Sequence, residues 1–152
     1  MRAATVLATW FGCGLAPRAP GTVGTLGALP LVAAAWWTAS PGLHALLAAG
    51  VLAVGLLAAR DTSAWGGRKD PPQVVIDEVA GMLVATVALP PSWVSLALAF
   101  VLFRAFDVLK PWPCRRLERL DSSWGVMADD VMAGLYANLA AQALLRVGEL
   151  FA

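Results

Sequence analysis

Charge is what this chain has least of. Only 14% of its 152 residues are Asp, Glu, Lys or Arg, while 59% are apolar and the mean hydropathy is +0.71. Soluble domains average about 25% charged and about 45–50% apolar residues, so a water-soluble globule is excluded and an integral membrane protein is expected. A net charge of +1 provides no footprint for a polyanion, which argues against a nucleic-acid partner. Cysteine occurs twice, at Cys13 and Cys114, without CxxC or zinc-ligand spacing, and histidine once, at His44. A disulfide framework is therefore not expected, and His44 reads as a helix-start residue. Strand-like alternation is also missing, which disfavours a barrel.

Five apolar runs are present, at 23–39, 43–59, 74–89, 93–109 and 131–147. Each falls slightly short of the ~20 residues that cross a bilayer core. The expectation is an all-α, multi-pass membrane bundle of four to five helices, forming one domain over residues 1–152; Asn138, Gln142 and Arg146 make the fifth run the weakest span. Ahead of the first run, Arg2, an apolar stretch and Gly12-Cys13 mimic a lipoprotein signal. Trp10 occupies the position where such a site takes a small aliphatic residue, so the segment reads as interfacial. Two connectors, Ser40-Pro41-Gly42 and Pro90-Pro91-Ser92, are short and uncharged; 60–73 and 110–126 are long and charged. With the short turns outside, all Lys and Arg except Arg146 lie on the other face, which the positive-inside rule makes cytoplasmic. Trp36, Trp37 and Trp93 then mark the outer interface, and Trp10, Trp65, Trp112 and Trp124 the inner one.

The acids share that face, Glu149 excepted. Two adjacent pairs, Asp77-Glu78 and Asp129-Asp130, stand at the starts of the third and fifth runs. Acids in a first helical turn are favoured by the helix dipole, which is the bland reading. Carboxylates near the hydrocarbon are costly, however, and several together call for a cation. Neighbours on a helix diverge by about 100°, so one member of each pair is expected to bind metal while the other caps its helix or meets a cation, unless the side chains curl. Gly81 and Gly134 follow the pairs and permit the close helix approach that would bring them together. Oxygen ligands without His or Cys suit Mg²⁺ or Mn²⁺.

Phosphate-binding character appears in residues 12–25, where Gly, Pro and Thr precede an apolar helix and free N–H groups make an anion cradle. The competing reading is an ordinary N-cap by Thr22 or Thr25. At the end of the fourth run, Arg104, Asp107 and Lys110 are spaced i, i+3, i+6 and form a charge ladder that is either a snorkelling ion-pair series or a base with phosphate clamps. Arg115, Arg116 and Arg119 mark residues 114–121 as a basic interfacial helix.

The segments GCGLAPRAPGTVGT, VVIDEVAGM, FRAFDVLKPWP and MADDVMAGLYANL, in that order and spanning residues 12–139, together resemble the phosphatidylglycerophosphatase A family. Two positions depart from the family pattern, Thr25 standing where Ser is usual and Ala128 where a larger apolar residue is common. The resemblance implies a Mg²⁺-dependent, multi-pass helical enzyme of the bacterial cytoplasmic membrane that hydrolyses phosphatidylglycerophosphate to phosphatidylglycerol. The substrate's phosphomonoester would hang from the inner leaflet, where the candidate groups lie. Expected metal ligands come from Asp77, Glu78, Asp129 and Asp130. Arg18, Gly21, Thr22, Thr25, Arg104 and Lys110 would hold phosphate, and Asp107 or Asp61 would orient the attacking water; Asp77 and Asp130 count as catalytic through the metal.

Missing motifs close off competing chemistries. No Lys-Ser/Thr follows the glycines as in a Walker loop. Cys13 and Arg18 are one residue too close for a Cys-x5-Arg phosphatase, a histidine nucleophile mechanism needs more than one His, and Asp-x-Asp is absent. The rivals are a CDP-alcohol phosphatidyltransferase, which also uses helical acids and Mg²⁺ at the cytoplasmic surface but whose Asp-Gly-x-x-Ala-Arg run is absent here, and a non-enzymatic scaffold.

Overall fold

Proline and the left-handed conformation punctuate the chain. A computed structural model describes residues 2–60 and 71–151, which contain helices and no strand. A short helix α1 (Ala3–Ala8) and a 3-10 turn (Cys13–Leu15) lead into α2 (Pro20–Gly27) and α3 (Leu29–Trp37). These two halves of the first apolar run are separate because Pro30 has no N–H for the carbonyl of Leu26. Next come α4 (Pro41–Ala58), α5 (Ile76–Thr86), α6 (Trp93–Leu109), the single turn α7 (Cys114–Leu117) and α8 (Ser123–Leu150). Left-handed residues Ala39, Ala88 and Lys110 each precede a proline by one or two positions and stop the chain from propagating as helix. Ser40 and Ser92 cap the restarts, their hydroxyls accepting from the N–H groups of Leu43 and Ser95 at 3.3 and 3.1 Å.

At the centre lies α5, apolar on all sides and buried except at Glu78 and Val84. It packs against α2, α4, α6 and α8. Its tightest crossing is with α8, where a side-chain carbon on Gly134 would collide with the carbonyl of Gly81, and one on Gly81 would stand 2.7 Å from the carbonyl oxygen of Asp130. The glycine-mediated approach expected from sequence is thus present. Gly14 and Gly24 do similar work at the N-terminus: side chains there would strike the Gln73 carbonyl and Val75. Part of the glycine-rich run therefore serves to press α2 onto the entry of α5.

Among the described residues one helix, α4, is long and apolar enough to cross a membrane by itself. α6 has 17 residues and α5 only 11, because Val87 and the prolines beyond it end α5 early. The fifth run differs most. α8 begins at Ser123, well before the apolar stretch, because Ser123, Gly125, Val126 and Met127 are themselves buried. Asp129 and Asp130 are therefore in its second turn, where first-turn dipole stabilisation does not account for them. The basic segment also differs: only Cys114–Leu117 is helical, and Glu118 turns back to Lys110.

The described connectors gather at two ends. Trp36, Trp37 and Trp93 surround one hollow at the end bearing the short turns. Residues 19–21, the entry of α5, the end of α6 and the second turn of α8 meet at the other.

Candidate active site

The second end encloses a cavity of about 270 Å³. α5 contributes Asp77 and Glu78, α6 contributes Arg104 and Asp107, and α8 contributes Asp129 and Asp130; Lys110 and the Ala19–Gly21 entry to α2 complete it. Among the described residues five carboxylates and two cations line it, and buried carboxylates this close together cannot all stay ionised without compensating positive charge.

Asp77, Glu78 and Asp130 each bring a carboxylate oxygen within 4.8 Å of the others. Both members of the first pair converge, and the backbone N–H of Glu78 donates to Asp77 Oδ1 at 3.0 Å. The second pair divides as expected: Asp130 joins the cluster, whereas Asp129 Oδ2 accepts from Lys110 Nζ at 2.7 Å. Burial raises the pKa of Asp130 well above the usual carboxylate range, and the neighbouring charges of Asp107, Glu78 and Asp129 add to the effect. Two oxygens, Glu78 Oε2 and Asp129 Oδ1, are buried without a hydrogen-bond partner. Buried polar atoms are almost always paired, so these two are acceptors open to a cation or a hydrogen-bond donor. Carboxylate oxygens alone, from two helices and around one point, fit a hard divalent cation.

The charge ladder of α6 is only half formed. Arg104 Nη1 bonds Asp107 Oδ2 at 2.7 Å and approaches Glu78 Oε1 at 3.9 Å. Lys110 leaves the ladder, since its left-handed backbone ends the helix and swings the side chain between Asp129 and Glu118, at 2.7 and 2.8 Å. Burial alone would lower its pKa, but those two carboxylates outweigh it and hold the ammonium charged above the ordinary lysine value. Glu118 was not among the sequence candidates; it sits in a basic segment with no local sign of its role.

The phosphate candidates separate. Gly21 lines the cavity, and a side chain there would collide with Glu78 Oε1. Thr25 is buried, donates to the Gly21 carbonyl at 2.9 Å and receives Arg104 at 3.5 Å, so its hydroxyl positions the arginine. Thr22 is half-buried and Arg18 exposed, and neither lines the cavity. Asp61 lies outside the described residues.

A family model for phosphatidylglycerophosphatase A matches residues 6–145, a span that includes every candidate above. The chain belongs to the phosphatidylglycerophosphatase A family. It is 37% identical to the phosphatidylglycerophosphatase A of Escherichia coli, over 86% of this chain and 76% of that one. Its identity to the Haemophilus influenzae phosphatidylglycerophosphatase A is also 37%, covering 87% and 82%. A Bacteroides thetaiotaomicron protein, named provisionally as a phosphatidylinositol-3-phosphatase, is 40% identical over 87% of both chains. No solved structure matches. The resemblance drawn from four motifs is borne out, and with it the assignment as a phosphatase.

Proposed function

We propose that the protein hydrolyses the terminal phosphomonoester of phosphatidylglycerophosphate to phosphatidylglycerol and inorganic phosphate, with Mg²⁺, at the cytoplasmic leaflet of a bacterial membrane. The observation that carries this reading is the pair of unpartnered buried oxygens, Glu78 Oε2 and Asp129 Oδ1, beside Arg104 and Lys110 in one cavity. Asp77, Glu78 and Asp130 would hold the ion. When bound, it would neutralise phosphoryl charge and lower the pKa of a water. Arg104 and Lys110 orient the phosphate, and the first-turn N–H of Gly21 at the start of α2 adds a donor. Asp107, tied to Arg104, takes the proton of the attacking water as the phosphorus–oxygen bond to glycerol breaks, and the departing alkoxide is reprotonated from solvent.

A multi-pass arrangement is supported by the apolar residues left on the outside. Val94, Val101 and Val108 form a seven-residue stripe on α6, each at least 62% exposed, and Leu46 and Leu57 of α4 are 68% and 63% exposed. Such faces suit lipid rather than water. The inner sidedness rests on the basic residues gathered at the cavity end.

The Bacteroides relative favours a second substrate, a 3-phosphoinositide; like phosphatidylglycerophosphate, it joins a phosphodiester and a phosphomonoester through a polyol. The deciding experiment measures phosphate release by purified protein in detergent, with Mg²⁺ and with EDTA. Its substrates are phosphatidylglycerophosphate, phosphatidylinositol 3-phosphate, phosphatidic acid and glycerol 3-phosphate. Mg²⁺-dependent release from the first is expected. Preference for the second substrate would reassign the headgroup, and no release from a folded sample would return the transferase and scaffold readings.

A further inference from the structure

Beside the acidic cavity, and sharing Lys110 with it, lies a second depression of about 520 Å³ walled by Leu109, Trp112, Arg115, Arg116 and Arg119. Among the described residues no carboxylate lines it, so it differs in chemistry from its neighbour. Its floor is held in place: Tyr136 Oη of α8 donates to the Trp112 carbonyl at 2.9 Å, Arg115 Nη2 donates to the Leu109 carbonyl at 3.3 Å, and Cys114 is buried beneath. Trp112 is 76% exposed and Leu109 64%, which gives the groove an apolar lip next to its guanidinium groups.

We propose that this groove binds the phosphodiester of the lipid substrate while the acidic cavity holds its terminal phosphomonoester, which makes Arg115 and Arg116 specificity-determining residues. The proposal rests on the lipid phosphomonoesterase reading above. A phosphodiester is a monoanion that is not cleaved in this reaction and needs no metal, and guanidinium groups match its two free oxygens. The two phosphates of the substrate are separated by one glycerol, and the two sites are separated by one lysine. Lys110 has three N–H donors, of which Asp129 and Glu118 occupy two, so one remains for the shared ligand. Exposed Val108 directly precedes Leu109 of the apolar lip in the chain, and the diacylglycerol would begin at this apolar surface.

The test compares the full-length protein with the double variant Arg115→Gln/Arg116→Gln in neutral detergent micelles at fixed mole fraction of lipid. We expect KM for phosphatidylglycerophosphate to rise about tenfold with kcat changed less than about twofold. Inhibition by phosphatidylglycerol, which has the diester alone, should weaken by a similar factor, while inhibition by inorganic phosphate stays as it was. The Arg115→Lys/Arg116→Lys protein, charged but unable to pair bidentately, should fall between. Two results overturn the proposal: a KM defect that appears only with anionic carrier lipid, which would mean general leaflet attraction, or phosphate inhibition that weakens in parallel. If the unaltered protein releases no phosphate, the phosphatase reading fails; equal binding of phosphatidylglycerol nanodiscs by both proteins would then overturn the groove on its own terms.

Discussion

The two ends of α5 treat buried polar groups in opposite ways. At its C-terminal end every described one is matched: Thr86 Oγ1 bonds the Met82 carbonyl at 2.9 Å and meets His44 Nε2 at 3.3 Å. Asn138 Nδ2 reaches the carbonyls of Ala85 and Val87 at 3.0 and 2.7 Å, and Gln142 closes on Asn138 Oδ1 at 2.7 Å. About 16 Å away by helix rise, the N-terminal end leaves carboxylate oxygens orphaned and like charges crowded. A polar network that satisfies itself holds helices in register, whereas one that stays unsatisfied is built for something it lacks.

The largest break in that contrast should come from Asp130→Asn or Asp77→Asn. Each removes a carboxylate from the cluster proposed to hold the metal, so kcat should fall about a thousandfold while circular dichroism stays unchanged. A variant that unfolds instead would place the acids in the scaffold. Next is Gly134→Leu, which forces α5 from α8 where their backbones touch. It should cost about 1–3 kcal/mol of stability and weaken Mg²⁺ affinity together, as read by thermal unfolding and Mg²⁺ titration. Asn138→Ala at the satisfied end should cost about 1–3 kcal/mol, from two stranded carbonyls, yet leave kcat of the folded fraction intact; a selective loss of turnover would erase the distinction between ends.

A smaller effect concerns protons. Asp130 lies before the apolar stretch of α8, and its pKa is raised by burial and then by nearby carboxylates. A raised folded-state pKa means that the unfolded chain releases this proton first. Stability of the metal-free protein therefore falls as pH rises from the ordinary carboxylate value through the raised one. Mg²⁺ displaces the same proton, so the thermal gain from Mg²⁺ should grow across that window, and a gain independent of pH would contradict the ligand assignment. Smallest of all, Arg18→Gln should change KM less than about twofold, as expected for an exposed cation that does not line the cavity; a larger shift measured beside Arg104→Gln would bring Arg18 into the site.

Much of the site was legible because its residues come in local patterns. The acidic pairs, the Arg104–Asp107 spacing and the small residues at Gly81 and Gly134 are short-range features, and the structure brings them together. Three points were not legible. Lys110 departs from its own helix face because its backbone is left-handed, a property that no spacing rule reveals. Thr25 supports Arg104 from 79 residues away. The helical start of α8 before its apolar run depends on burial of Ser123 and Gly125 against other parts of the chain.

Composition and motif order by themselves determined the all-helical class, the family and the list of charged groups from which a site could be made, since hydropathy and helical periodicity are properties of consecutive residues. Which carboxylates converge was decided only by the crossing of α5 and α8, and which one pairs with Lys110 by the left-handed end of α6 as well. That crossing is set by backbone contact between Gly81 and Gly134, and contact between distant segments is a property of packing that no local pattern contains.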